Sequence, residues 1–179
     1  HHLGSTPEWF MVKIRSGDNN NWGVYHHKSN SNPEQYALYL DSTSAATDDA
    51  FLNDVAPTSS VINLSGGNYG NVNTNTYVAY CFSEVQGFSK FGTYTGNGNA
   101  NGTFVYTGFR PAFVITKKIS GTSPWGIHDN KRDPFNEVDE LLEADTNAAL
   151  SDSTYGKDFL SNGFKIRTSS AGVNGDGNT

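Results

Sequence analysis

One cysteine and one methionine occur among 179 residues. A lone thiol closes no disulfide within the chain, so a disulfide-stapled scaffold is excluded. Cys81 sits inside the apolar run Tyr77–Phe82, where its expected role is that of a small buried hydrophobe. Positive charge is scarce as well. Lys and Arg number 12 against 18 Asp and Glu, a net charge of -6, and no basic cluster exceeds two residues. That leaves no electrostatic footprint for a nucleic acid or an anionic membrane. No apolar stretch approaches the roughly 20 residues a helix needs to span a bilayer, so membrane insertion is not expected. Glycine is plentiful, but its richest stretch, GTYTGNGNANG at 92–102, lies between strand-like runs. A phosphate cradle needs a helix N-terminus directly after it, so nucleotide chemistry is not indicated.

Aromatic residues are abundant, with 11 Phe, 9 Tyr and 3 Trp, while mean hydropathy is only -0.55. Few aliphatics beside many aromatics, Thr and Asn suit strands with one face buried and the other polar. Runs such as WFMVKI, WGVYH, YALYL, VINL and FKIR are punctuated by Gly, Asn and Asp as sandwich strands are. Thr93–Thr95 and residues 103–106 flank the glycine-rich stretch and suggest a wide hairpin. Residues 134–149 hold the helical candidate, since Val138, Leu141 and Leu142 recur at three- and four-residue spacing. The expected fold is all-β, an antiparallel β-sandwich of jelly-roll or concanavalin A-like type with about a dozen strands and one short helix.

The chain also says the same thing twice. PEWFMVKI from Pro7, NWGVYHHK from Asn21, STSAATDD from Ser42 and VNTNT from Val72 recur as PAFVITKK from Pro111, PWGIHDNK from Pro124, DTNAALSD from Asp145 and VNGDGNT from Val173. A period of about a hundred residues exceeds solenoid and propeller repeats, so two units are expected, 1–86 and 87–179, forming one sandwich or two. The first copy lacks a counterpart of the strand at 103–109, and the second lacks one of Tyr77–Phe82. The sequence thus reads as a window of a longer polypeptide, with sheet edges that invite homo-oligomers.

The strings KFGTYTGNGNANGTFVYTGFRPAFVITKK, PWGIHDNKRDPFN and DFLSNGFKIRTSSAGVNGDGNT, preceded by YVAYCFSEVQGFSK, resemble a family of tail fibre and tail-associated proteins of marine and aquatic bacteriophages. The resemblance covers essentially the whole chain. It implies a lectin-like module on a virion tail, outside the cell. It also implies host-surface polysaccharide and other fibre or virion subunits as partners, and it carries over no catalytic residue.

Positions kept by the repeat are expected to be scaffold. These are the structural aromatics Trp9, Trp22, Phe113 and Trp125, all expected to be buried. Positions that differ are expected to carry ligand contacts. Tyr25-His26-His27 faces His128-Asp129-Asn130-Lys131 at a strand end, so Tyr25, His26, His128, Asp129, Asn130 and Lys131 are the candidate binding residues on a rim. Adjacent histidines point to opposite faces of a strand, so no metal site is expected there. The oxygen-rich loops Asp18-Asn19-Asn20-Asn21 and 174–178 admit calcium or plain Asx turns, and no other cofactor is expected. Glu137, Asp139, Glu140 and Glu143 supply carboxylates of the kind a glycosidase needs. On a helix they share one solvated face, so a non-enzymatic glycan-binding or structural fibre module is the expectation. A glycan depolymerase and an extracellular filament subunit are the alternatives.

Overall fold

The computed structural model describes residues 1–17, 20–66 and 70–179. Among them the fold is all-β, antiparallel and of β-sandwich type, with eleven strands and two sheets. The chain divides into two compact units, residues 1–85 with 89–92 and residues 86–88 with 93–179. No helix among the described residues is long and apolar enough to cross a membrane.

The first unit holds β1 (Trp9–Ile14), β2 (Gly23–His26), β3 (Tyr36–Tyr39), β4 (Thr47–Asp48) and β5 (Tyr77–Phe82). Its sheet order is β4-β3-β2-β1-β5. The first strands form a meander and β5 returns beside β1, a Greek-key arrangement. Alternation in WFMVKI buries Phe10, Val12 and Ile14 on one face. Tyr25, Ala37, Phe51 and Leu52 join Phe10 and Val12 in the core, with Ile62 and Leu64 packed against them. The strand bears on this second layer so closely that a Cβ on Gly23 would stand 3.0 Å from the Phe51 ring.

The second unit holds β6 (Phe104–Tyr106), β7 (Phe113–Thr116), β8 (Gly126–Asp129), β9 (Val138–Glu143), β10 (Ser151–Leu160) and β11 (Gly163–Ile166). Their order is β6-β11-β10-β9-β8-β7, which leaves β7 at an edge. Val114, Val138, Phe159, Phe164, Ile166 and Val173 form the core, with Tyr94, Val105 and Tyr155 against it.

The repeat extends to the hydrogen bonds. Trp9 faces His26 and Phe10 faces Tyr25 in β1–β2, as Phe113 faces Asp129 and Val114 faces His128 in β7–β8. Trp22 N–H donates to Asp41 at 3.1 Å and Trp125 N–H to Asp145 at 2.8 Å. Arg15 N–H reaches Thr76 O at 2.7 Å, and Ile119 N–H reaches Thr179 O at 2.8 Å. The match of Asp41 with Asp145 lies one residue away from the alignment of Ser42 with Asp145, because the connection from β8 to β9 is one residue longer than that from β2 to β3 while the registers agree, Gly23 with Tyr39 and Gly126 with Glu143.

Two expectations need correction. Residues 134–149 form no helix: Val138–Glu143 is β9. Val138 and Leu141 are both buried three residues apart because the pairing of β9 with β10 shifts register between Asp152 and Lys157. That irregularity imitates a helical period. Nor do 93–95 and 103–106 form a hairpin ladder, since β6 pairs with β11. The 93–102 stretch lies instead along 166–178, with Gly96 N–H on Asn178 O at 2.8 Å and Gly98 N–H on Asn174 O at 2.7 Å. A Cβ at Gly96 would meet Gly175 O at 2.3 Å, so only glycine permits the approach.

Asn174 fastens this layer. Its amide nitrogen stands 2.7 to 2.9 Å from Thr168 O, Asn99 O and Asn97 Oδ1, while its oxygen accepts from Asn97 N–H at 3.2 Å. The residue is 1% exposed, so its loss leaves several part-buried groups without their partner. Asn174→Ala is expected to cost roughly 2 to 4 kcal/mol in urea denaturation; a cost under about 0.5 kcal/mol would refute its role as the fastener.

Candidate functional site

The six candidate binding residues do not form one rim. Tyr25 is 4% exposed and stacks on Phe10 at 4.9 Å inside the first core. His128, its counterpart, is fully buried at 0%. The placement of these two on a rim is therefore corrected: strand pairing sets them opposite Phe10 and Val114, which face inward. His26 is half-buried, and its Nδ1 accepts Lys28 N–H at 3.1 Å. Burial, with His27 and Lys28 beside it, pushes its pKa down to about 4.

Asp129 is committed to its own turn. Its Oδ1 accepts Lys131 and Arg132 N–H at 2.9 Å each, and its Oδ2 accepts Arg132 Nε at 2.6 Å. These bonds hold its pKa at about 2. Arg132 also donates to Ile127 O at 2.9 Å and Glu140 O at 3.3 Å, so it clamps β8 to β9. Asn130 is half-buried, with Oδ1 lacking a partner, and Lys131 is exposed.

Behind this turn lies a polar pair that sequence reasoning missed. Lys157 on β10 is 0% exposed, and its Nζ lies 3.1 Å from His128 Nδ1 and 2.9 Å from Tyr155 O. Burial pushes the amine down to about 7 and, with Lys157 and Arg132 nearby, the imidazole down to about 3. A neutral His128 accepting at Nδ1 carries its proton on Nε2, which is buried without a partner. Such an amine is nucleophilic, but full burial keeps substrates from it. The signal was available, since Lys157 stands two residues before Phe159 on one strand and so shares its inward face.

The arrangement open to ligands lies on the other face of the first sheet. There Trp9 and Met11 of β1 stand opposite Phe82 and Tyr80 of β5. Trp22 stacks on Tyr80 at 6.4 Å and 25°, with Lys13 Nζ 6.0 Å from the indole. Trp9 lies 5.1 Å from Phe82 and, nearly parallel, 6.3 Å from Phe91. Tyr80 is 45% exposed and Trp22 and Trp9 are half-buried, so the rings form an aromatic platform open to solvent. This corrects the expectation that Trp9 and Trp22 are core residues. Trp125 is buried at 4% as expected, whereas Phe113 is 58% exposed. On the opposite face, Val12, Ile62, Leu64, Ala79, Cys81 and His1 line an open apolar cleft of about 320 Å³, and burial pushes the Cys81 thiol up, away from reactivity.

Glu137 immediately precedes β9, and Asp139, Glu140 and Glu143 within it follow strand spacing. Burial and the charges of Asp158 and Asp139 raise Glu137, while burial, Asp152 and Asp133 raise Asp139. Among the described residues no group of three or more His, Cys, Asp or Glu is placed to hold a metal ion. Of the oxygen-rich loops, Asp18 and Asn19 lie outside the described residues. Asn174 of the other loop spends its side chain on the fastening described above.

The whole of the chain, residues 1–179, matches the family described as a domain of unknown function, DUF7483. The chain belongs to that family. No curated protein and no solved structure matches it.

In this DUF7483 chain the buried amine makes stability depend on pH in a defined direction. Lys157 is depressed in the fold from 10.5 to about 7. Between those values the unfolded chain binds a proton that the folded chain releases, so stability rises with pH, by at most about 1.4 kcal/mol per pH unit. Below the folded value the full cost of burying an ammonium is present. Lys157→Met, of similar volume, is expected to lose this slope, so that its stability relative to the parent is highest near neutral pH and falls toward pH ~9.5. Lys117, pushed down from 10.5 to about 8, adds a slope of the same sign over a narrower window, and Tyr25, raised from 10.0 to about 12, opposes it only at higher pH. Urea midpoints across this range check it; a gap that does not change with pH would contradict a neutral buried Lys157.

Proposed function

We propose that the chain is a non-enzymatic module of a virion tail fibre or related appendage. It acts outside the cell, binds host-surface polysaccharide and assembles with other fibre subunits or copies of itself. The observation that carries the binding role is the open platform of Trp22, Tyr80, Trp9 and Phe82 on one sheet face. Aromatic faces stack on the C–H faces of sugar rings, and a polar border supplies directional hydrogen bonds. Lys13 beside the indole and Asp41 beneath Trp22 N–H give that border. The resemblance of the long strings to phage tail proteins and the all-β fold support the same reading.

The raised carboxyls of Glu137 and Asp139 favour one alternative, a depolymerase in which a carboxylic acid protonates a glycosidic oxygen. Release of reducing ends from host polysaccharide, abolished by Glu137→Gln, would establish that reading instead.

The binding role separates the repeated tryptophans. Tyr80→Ala and Trp22→Ala are each expected to weaken polysaccharide binding about tenfold, equivalent to roughly 1.4 kcal/mol. Tyr80→Ala should shift stability by no more than about 1 kcal/mol. Trp125→Ala is expected to destabilise by roughly 3 to 5 kcal/mol, because its indole leaves a cavity. Calorimetric titration with denaturation of each variant measures both effects. Parental affinity in folded Tyr80→Ala and Trp22→Ala would sink the platform as the binding site.

A further inference from the structure

The two units differ at the sheet edge beside β1 and its counterpart β7. In the first unit β5 covers the outer edge of β1, pairing Trp9 with Phe82 through Ile14 with Tyr77. In the second, β7 is the counterpart of β1 in register, and among the described residues no strand pairs with its outer edge. The approach to that edge is nonetheless built as in the first unit. Thr76 donates to Ser16 Oγ at 2.9 Å and accepts from Arg15, and the chain then enters β5. Thr179 donates to Ser120 Oγ at 3.3 Å and accepts from Ile119 in the same manner.

We propose that the outer edge of β7 is an acceptor for an extended peptide strand of β5's side-chain alternation, which adds to it antiparallel. Three observations define that occupant. N–H direction alternates along a strand, so the parity of Ile119 turns the amides of Phe113 and Ile115 to the open edge. Phe113 is 58% exposed, whereas Trp9 at the same position is covered by Phe82 and Phe91. On the core side β5 sets small residues, Cys81 against Phe10 and Ala79 against Val12; the same register sets them over Val114 and Thr116. The occupant is therefore a polypeptide segment with aromatic residues on the outer face and small apolar ones inside, held by main-chain hydrogen bonds. This holds whatever the aromatic platform binds, so the two proposals fail separately.

The test uses the 179-residue chain and a synthetic peptide of residues 76–84 carrying Cys81→Ser. Saturating peptide is expected to slow hydrogen exchange at the Phe113 and Ile115 amides about tenfold or more, leaving the β1 amides unchanged. The same peptide with backbone N-methyl groups on its strand-facing amides should have no effect. Because a free strand can self-associate, a second protein carries the 77–84 sequence appended after Thr179. It is expected to show the same protection, with Tm raised by about 4 °C or more. Unchanged exchange at β7 in both experiments would overturn the proposal. So would a parental dimer joined through β7 that the peptide does not dissociate.

Discussion

An aspartate carboxylate holding the backbone N–H of a tryptophan sets the frame of each unit. Asp41 does this for Trp22 and Asp145 for Trp125, and in each case the tryptophan carbonyl answers with a bond from the far strand, Leu40 N–H at 3.1 Å and Ala144 N–H at 3.3 Å. The pair of contacts closes the hairpin at one register. Side chains alternate with a period of two, so a slip of one residue between β2 and β3, or between β8 and β9, would turn Ala37 out of one core and Leu141 from its buried position in the other.

The repeat made much of this fold legible. Residues that align in the segments from Pro7 and Asn21 occupy the same ladder positions, and the runs WFMVKI and YALYL, read as strands, are β1 and β3. The helix expected over 134–149 failed for a local reason: a register shift opposite Val138 to Glu140 breaks the period-two pattern. Periodicity reads regular strands and misreads a bulged one. The wide hairpin failed because glycines that suggest a turn serve instead to let 93–102 lie against 166–178, a contact distant in sequence.

Tyr25 and His128 were misplaced by a subtler error. Variation between the copies predicts exposure. Here it marks a core position solved in two ways, by an aromatic stacked on Phe10 in one unit and by an imidazole bound to a buried amine in the other. A buried imidazole is tolerable only with a partner, and Lys157 lies 29 residues away on a strand that is not its neighbour. Alternation placed Lys157 inward but did not say what it meets there.

Exposure at the position shared by Trp9 and Phe113 follows the neighbouring strand rather than the residue, whereas Trp22 stays half-buried beside Tyr80 and Trp125 is 4% exposed without such a neighbour. Trp9 and Phe113 hold equivalent places, yet one is half-buried under Phe82 and Phe91 and the other is open. Trp22 and Trp125 share their backbone contacts, yet Tyr80 lies beside only the first. Since β5 contributes both Phe82 and Tyr80, a single strand converts the outer face of one copy into an aromatic platform. The repeat keeps the ladder in both units, and among the described residues their outer faces differ where β5 lies beside β1 and no strand lies beside β7.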